Sequence, residues 1–185
     1  NSKYIDKVIV ATPTDTKNNE LVSLIKELGF EIFQGSENDV LDRYYQAAKL
    51  YNPESIVRIT GDCPLIDYEI VDKVIKMYLD SNVDYVSNVN PPTFPDGLDT
   101  EIFSFDVLET AWKESTKSFD REHVTPFIVR KTIFKKLNFL NPRDHSKERW
   151  TIDEPDDFIV IQNILKYFKD NQDFTWNDIL NLKKL

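Results

Sequence analysis

Asp62 is the first residue whose type and setting suggest chemistry. It follows an apolar segment, Ser55–Thr60, that is typical of a buried strand, and Gly61 and Pro64 frame it. Ligands bind at the carboxyl ends of strands in open α/β sheets. A carboxylate there suits Mg²⁺ held against substrate phosphates, because this ion takes one or two protein carboxylates and completes its shell with water and phosphate oxygens. A second interpretation stays open, in which Asp62 caps the helix that starts near Asp67 or satisfies a turn.

A second acidic group surrounds Asp153. This residue follows a short apolar stretch and precedes a helical pattern that starts with Pro155, Asp156 and Asp157. Proline and acidic residues are favoured in the first turn of a helix, so the pattern predicts Asp153 as an N-cap. A residue just ahead of a helix is also well placed to face a cleft, so a functional role remains compatible with the cap.

Three carboxylates lie around a glycine in the segment from Asp96 to Glu101. If the chain is extended from Thr100 onward, Asp99 and Glu101 point to the same side. Such a pair forms a polar patch that can bind sugar hydroxyls. The alternative is a solvated strand edge.

The segment around His123 reads as the start of another helix. Asp120 is its predicted N-cap, which places Arg121, Glu122 and His123 in the first turn. A lone histidine in such a position is more often structural than catalytic, and the residues alone favour the structural interpretation.

A fifth candidate lies at Gly35 and Ser36. Ser36 is followed three residues later by Asp39, which is the spacing of a capping box and predicts that a helix begins there. A loop that contains Gly35 and Ser36 could also offer backbone groups to the edge of a nucleobase.

These residues lie between alternating strand and helix patterns. Predicted strands are Val8–Thr12, Phe30–Phe33, Ser55–Thr60, Tyr85–Ser87, Thr100–Phe105 and Lys135–Phe139. Predicted helices lie near Leu21–Leu28, Asp39–Tyr51, Ile70–Tyr78, Val107–Thr116, Glu122–Lys131, Phe158–Phe168 and Trp176–Leu182. This alternation predicts a parallel or mostly parallel sheet with helices on both faces. Residues 1–185 are expected to form a single domain, since the chain shows no repeat or linker.

The composition limits the classes of partner. The 185 residues are 41% hydrophobic and 30% charged, which is ordinary for a soluble globular domain. The net charge of −9 argues against nucleic acid or an anionic membrane as partner. One cysteine excludes an internal disulfide and fits a reducing compartment. No apolar run approaches the roughly 18 residues of a membrane span and no signal peptide is present, so we expect no membrane insertion and a cytoplasmic protein.

Several catalytic motifs are absent from the sequence. It has no Gly-x-x-x-x-Gly-Lys-Ser/Thr loop and no Gly-x-Gly-x-x-Gly fingerprint, which argues against P-loop kinases and dehydrogenases. It has no Gly-x-Ser-x-Gly elbow. With one cysteine and two histidines far apart in the sequence, a structural zinc site is not expected.

Five motifs occur in an order that resembles a known family. They are Gly35–Tyr45, Arg58–Asp67, Phe94–Asp99, Arg121–Pro126 and Trp150–Pro155. Together they resemble the cytidylyltransferase-like spore coat polysaccharide biosynthesis proteins of the F type, which are relatives of the CMP-sialic acid and CMP-KDO synthetases. The resemblance covers essentially the whole chain, and five ordered motifs are far more specific than any one of them.

The resemblance implies a three-layer α/β/α Rossmann-like nucleotidyltransferase fold with a mostly parallel sheet. It implies that Asp62 and Asp153 are the catalytic carboxylates and that they meet around Mg²⁺. The substrate-binding residues that it implies are Gly35 and Ser36 near the base, Asp99, Glu101, Arg121, Glu122 and His123 on the sugar side, and Arg58 and Gly61.

The chain differs from the family at its N-terminus, and the resemblance also predicts a reaction. Members normally begin with a strand, a basic glycine-containing loop that grips the triphosphate, and a helix that leads to a strand like Val8–Thr12. This segment is absent from the chain, so the domain is expected to be N-terminally incomplete. The expected partners are CTP and a small sugar, which would yield a CMP-sugar and pyrophosphate, and a homodimer is compatible. The alternatives are a glycosyltransferase that uses a nucleotide-sugar donor, and a truncated domain that binds sugar or nucleotide without turnover.

Overall fold

The computed structural model describes residues 1–169, 171 and 173–182. Its strands are β1 (Ile9–Pro13), β2 (Glu31–Gly35), β3 (Ser55–Arg58), β4 (Tyr85–Ser87), β5 (Glu101–Ser104) and β6 (Lys136–Asn138). Its α-helices are α1 (Asn19–Glu27), α2 (Val40–Tyr51), α3 (Tyr68–Leu79), α4 (Phe105–Glu114), α5 (Ser118–His123), α6 (Pro126–Arg130), α7 (Pro155–Tyr167) and α8 (Trp176–Leu182). No helix within these residues is long and apolar enough to cross a membrane.

The strands form two sheets. β1 and β2 pair in parallel, and the second sheet has the order β3-β5-β4-β6. In that sheet β4 and β6 are parallel, whereas β5 is antiparallel to both of its neighbours. The predicted α/β fold is therefore confirmed, with β5 as the reversed strand. In the described part of the chain, β1, β2, β3 and β6 each have one edge without a neighbouring strand. Helix α2 packs against β1 and β2 as well as against α4 and α5.

Alternate side chains of β4 and β5 enter two different hydrophobic clusters. Val86 and its cross-strand partner Ile102 join a cluster that includes side chains of α3, α7 and α8. Tyr85 and its partner Phe103 join the other cluster, with side chains of α2, α4 and α6. The sheet therefore lies between two helical layers, and full burial of each such side chain contributes about 1.5–3 kcal/mol.

The start of α2 differs from the sequence prediction. Asp39 is the N-cap residue, and its carboxylate accepts a hydrogen bond of 2.8 Å from the backbone N–H of Asp42. The Ser36 hydroxyl instead accepts from the N–H of Asp39 over 3.1 Å. The predicted cap at Ser36 was wrong because the carboxylate of Asp39 lies closer to the open backbone donors of the first turn.

The predicted single helix over Glu122–Lys131 is two short helices. Between α5 and α6, Val124 has a φ of 71°, which interrupts the helical path. Pro126 then begins α6, where its missing N–H costs nothing because the first helical donors have no intrahelical acceptor. A continuous helix through Pro126 would have lost a backbone hydrogen bond.

The predicted N-cap role of Asp120 was also wrong. Lys117 occupies the N-cap position of α5, so Arg121 and His123 lie in the last turn of that helix. Asp120 is fully buried inside α5. Its carboxylate forms an ion pair with Arg130 of α6, with 2.6 Å between Asp120 Oδ1 and Arg130 Nη1. Asp120 therefore joins the two helices.

Candidate active site

Asp62 lies in the turn that follows β3. The thiol of Cys63 donates to Asp62 Oδ1 over 3.5 Å, and the space beside Gly61 is open, because a Cβ built there meets no atom within 4 Å. Asp67, not Asp62, caps α3, since its carboxylate accepts from the N–H groups of Glu69 and Ile70 at 2.8 and 3.3 Å. The carboxylate of Asp62 is therefore not used as the helix cap.

A second loop lies directly against this turn. The backbone N–H of Ile152 donates to the backbone carbonyl of Asp62 over 2.9 Å. One residue further, Asp153 is half-exposed, and its carboxylate accepts from Thr151 Oγ1 at 2.7 Å and from Arg149 at 3.1 Å. These bonds, with Thr151 the stronger cause, lower the pKa of Asp153, so it is ionised at neutral pH. The two predicted metal-binding aspartates thus lie on adjacent loops.

The N-cap of α7 is Glu154, so the predicted cap at Asp153 was wrong. Asp157 explains the difference, because its carboxylate accepts from the backbone N–H groups of Asp153 and Glu154 at 3.0 and 2.8 Å. It also forms an ion pair with Arg149. The start of α7 is therefore stabilised without the carboxylate of Asp153.

Asp96 adds a third carboxylate on a neighbouring loop. Its backbone N–H donates to the Glu148 carbonyl at 2.9 Å, and its carbonyl accepts from Trp150 at 2.8 Å. Burial, followed by the negative charge of Asp153, raises the pKa of Asp96. Gly97 allows this close approach, since a Cβ at its position would lie 2.9 Å from the carbonyl carbon of Trp150. The sequence interpretation had included Asp96 in its acidic segment but had given it no role.

A polar cavity of about 220 Å³ lies near these loops. It is lined by Arg58, Thr60, Val89, Asp99, Glu101, His123, Thr125 and Pro126. Four predicted substrate-binding residues are brought together here, namely Arg58, Asp99, Glu101 and His123. The other four, Thr60, Val89, Thr125 and Pro126, were missed as candidates, although Thr60, Thr125 and Pro126 stand inside the motifs that had been quoted.

The cavity contains one ion pair and one further carboxylate, that of Asp99. Arg58 and Glu101 form a buried ion pair with an N–O distance of 2.5 Å, and Glu101 also accepts from the Tyr85 hydroxyl. Asp99 has no hydrogen-bonding partner among the described residues. Burial, and then the charges of Asp96, Glu101 and Asp62, raise the pKa of Asp99 to about 6. The cavity therefore presents one carboxylate that is free to accept hydrogen bonds from a ligand.

The remaining predicted residues lie outside this cavity. Gly35 ends β2 and is covered by the side chain of Arg43, since a Cβ there would lie 2.9 Å from Arg43 Cγ. The carbonyl of Ser36 accepts from Arg43 Nη1 at 2.8 Å. Arg121 binds both carboxylate oxygens of Asp39 at 2.6–3.0 Å and donates to a backbone carbonyl of α4, while Glu122 is exposed. Within the described residues, no three histidine, cysteine or acidic side chains are grouped so as to hold a metal ion.

Comparison with known proteins identifies the family. A family model described as cytidylyltransferase matches residues 1–178. The chain belongs to the cytidylyltransferase family. This membership makes it a nucleotidyltransferase and agrees with the resemblance seen in the five sequence motifs.

Two relatives are similar to this cytidylyltransferase in sequence. An uncharacterized protein of Methanocaldococcus jannaschii is 44% identical over 170 residues, which cover 90% of this chain and 69% of the relative. The spore coat polysaccharide biosynthesis protein SpsF of Bacillus subtilis is 26% identical over 181 residues, which cover 96% of this chain and 74% of SpsF.

Two solved structures share its fold. A cytidylyltransferase from Leptospira borgpetersenii has a TM-score of 0.93 at 35% identity and is matched over 99% of this chain and 78% of its own. A CMP:2-keto-3-deoxy-manno-octonic acid synthetase in complex with CTP has a TM-score of 0.62 at 9% identity, over 91% of this chain and 83% of its own. The first comparison agrees with the Rossmann-like cytidylyltransferase fold, and the second, at this identity, shows the shared fold alone.

Proposed function

We propose that this chain is part of a Mg²⁺-dependent cytidylyltransferase that joins CMP from CTP to a sugar and releases pyrophosphate, for the synthesis of a surface polysaccharide or glycan. The hydrogen bond from Ile152 to Asp62 carries the proposal, because it sets the loops of Asp62 and Asp153 side by side. Family membership and the spore coat polysaccharide relative support the reaction class and its biosynthetic setting.

The carboxylates fit Mg²⁺. Asp62 and Asp153 supply hard oxygen ligands, and Mg²⁺ is usually bound through one or two carboxylates plus waters and phosphates. Burial, and then the negative charges of Asp153 and Asp62, raise the pKa of Asp96, and a bound cation would offset these negative charges. When bound, the ion would neutralise charge on the triphosphate and on the leaving pyrophosphate. A bound Mg²⁺ ion would also allow a protein with a net charge of −9 to bind the negatively charged CTP.

The cavity beside Asp99 suits the sugar. Asp99 can accept hydrogen bonds from hydroxyl groups, and the Arg58–Glu101 pair forms a rigid and internally neutral wall. Positioning of the attacking oxygen against the α-phosphorus is the main contribution such a wall makes, since orientation removes part of the entropic barrier. His123 borders the same cavity and is exposed to an incoming ligand.

The nucleotide side is proposed at the carboxyl ends of β2 and β3. Gly35 and Ser36 would lie near the cytosine, and Arg43 and Arg121 would hold this loop through the Ser36 carbonyl and Asp39. Arg121 and Glu122 would then support the sugar side through the position of α5.

Calorimetric titration of CTP with Mg²⁺ tests this function. CTP is titrated into this chain and into a version extended upstream of Asn1, with UTP and GTP as controls. We expect selective binding of CTP by at least one of the two proteins. If CTP, UTP and GTP all fail to bind to either protein, the result would contradict a cytidylyltransferase.

A product assay then separates the reaction classes. The extended protein is incubated with CTP, Mg²⁺ and a panel of monosaccharides that includes sialic acid and 2-keto-3-deoxy-manno-octonic acid. Release of pyrophosphate supports the proposal. A parallel incubation replaces CTP with a nucleotide-sugar, and release of a nucleoside mono- or diphosphate there, without pyrophosphate from CTP in the first incubation, would instead indicate a glycosyltransferase.

A further inference from the structure

The cavity wall contains a strained turn between α5 and α6. Val124 has φ 71° and ψ −58°, and the N–H of Thr125 donates to the carbonyl of His123 over 2.8 Å. These values describe a γ-turn with its central residue at positive φ, which is rare and strained. A β-branched residue at positive φ is an outlier, and such strain persists where the surrounding structure enforces it.

The surrounding structure holds this turn from two sides. The N–H of Val124 donates to the carbonyl of Asp120 over 3.0 Å, and the buried carboxylate of Asp120 is paired with Arg130 across the turn. The Val124 side chain is fully buried in the cluster that contains Phe127 and Ile128. The fold therefore keeps α5 and α6 together with the strained residue between them.

The turn places two polar side chains on the cavity. His123 and Thr125 both line it, while Val124 between them points into the core. Thr125 stands at the N-cap position of α6, where threonine usually accepts a backbone hydrogen bond, but its hydroxyl does not cap this helix. Within the described residues this hydroxyl has no hydrogen-bonding partner. It is therefore free to bind a ligand in the cavity.

We propose that Thr125 is a specificity-determining residue that hydrogen-bonds a hydroxyl of the sugar, and that Val124 is the positioning residue that holds Thr125 and His123 on the cavity. The proposal rests on the proposed function, because it assigns the cavity to the sugar. It adds Thr125 as a residue that binds the sugar, and Val124 as the residue whose backbone conformation holds Thr125 in place.

The first test compares Thr125→Val with Thr125→Ser in the extended enzyme. The sugar is the monosaccharide of the panel that the wild type turns over fastest, and both substrates are varied. We expect Thr125→Val to raise the KM for the sugar roughly 3- to 10-fold, the range of one lost hydrogen bond. The KM for CTP and the melting temperature should stay unchanged, because the hydroxyl has no protein partner. Thr125→Ser should stay near the wild type.

The second test compares Val124→Gly with Val124→Ala. Both variants remove the buried isopropyl group, but only glycine adopts a positive φ without steric cost. We expect Val124→Gly to melt no lower than Val124→Ala, the reverse of the usual order. We also expect Val124→Gly to raise the KM for the sugar and to leave that for CTP within about twofold, since the loosened turn no longer fixes Thr125.

The possible results separate a failure of the proposed function from a failure of the roles proposed for Thr125 and Val124. If the wild type releases no pyrophosphate with any sugar, the proposed function fails, and the melting order still decides whether Val124 is strained. If the wild type is active but Thr125→Val keeps its KM for the sugar, the role of Thr125 is overturned. If Val124→Gly melts below Val124→Ala, or leaves the KM for the sugar unchanged, the positioning role of Val124 is overturned.

Discussion

Ile152 donates its backbone N–H to the backbone carbonyl of Asp62 over 2.9 Å, and this bond joins two loops that are far apart in the sequence. Because the contact uses only backbone atoms, it does not occupy the Asp62 carboxylate, which accepts a long hydrogen bond of 3.5 Å from the Cys63 thiol. Asp153 follows Ile152 directly, so the same contact places its half-exposed carboxylate on the neighbouring loop.

Replacing Asp62 with Asn should abolish metal-dependent transfer and leave the fold intact. The neutral amide is a poor ligand for Mg²⁺, so we expect pyrophosphate release by the extended enzyme to fall at least about 100-fold across a Mg²⁺ titration. Asp80→Asn is the matched control, because Asp80 lies on the surface and its carboxylate pairs with Lys76. Retained activity in Asp62→Asn would rule out the metal role of this residue.

Replacing Arg121 with Ala should destabilise the domain by about 1.5–3 kcal/mol, the range for hydrogen bonds to charged groups. Arg121 binds Asp39 through two nitrogens and a backbone carbonyl of α4 through the third. Urea unfolding measures the difference. Lys76→Ala serves as the control, since its pair with Asp80 is exposed to solvent and should contribute much less to the free energy of unfolding. Equal effects of the two variants would contradict a stabilising role for the Arg121–Asp39 pair.

Asp99 should make the folded protein less stable at neutral pH. Its folded pKa of about 6 lies above the ordinary value of 3.8, so the folded state resists ionisation. Below about pH 4 Asp99 does not lower the free energy of unfolding, because it is protonated in both the folded and the unfolded state. As the pH rises from 4 through 6, that part of the stability is lost. Asp99→Asn should therefore be more stable than the wild type at pH 7.5, by about 1–2 kcal/mol after screening.

Urea unfolding of Asp99→Asn at several pH values checks this sign. The gain over the wild type should shrink between pH 6 and pH 4, where wild-type Asp99 becomes protonated. A gain that is independent of pH would show that the substitution acts by packing rather than by charge.

Replacing Gly97 with Ala should cost about 2–4 kcal/mol, since it adds both backbone strain and a clash. Gly97 has a φ of 104°, and a Cβ there would lie 2.9 Å from the carbonyl carbon of Trp150. Gly29→Ala is a matched control, because Gly29 has a φ of 80° but open space around it. It should cost about 1 kcal/mol, and thermal unfolding compares the two. Equal costs would show that the contact with Trp150 is unimportant.

Sequence patterns predicted the elements well where local chemistry decides them. The apolar segments gave β1 to β6 within a few residues of their observed bounds. Asp99 and Glu101, which were predicted to point to the same side, both line one cavity, although Asp99 lies just before β5.

Side-chain contacts that an N-cap pattern does not describe explain what the sequence could not give. Asp120 and Asp153 were predicted as N-caps, but Arg130 binds the carboxylate of Asp120, and Arg149 and Thr151 bind that of Asp153. The capping pattern alone cannot show which nearby side chain binds a carboxylate. The hydroxyl of Thr125 could not be predicted either, since the positive φ of Val124 is imposed by the packing of α5 and α6.

The position of Cys63 has a practical consequence. It is the only thiol in the chain, it is buried beside Asp62, and burial first raises its pKa to about 12. The thiol is therefore protonated and shielded at neutral pH, and alkylating reagents reach it only when the turn after β3 opens. The native sequence thus carries one built-in reporter, and the rate of covalent labelling at Cys63 measures how often that turn opens, without any engineered cysteine.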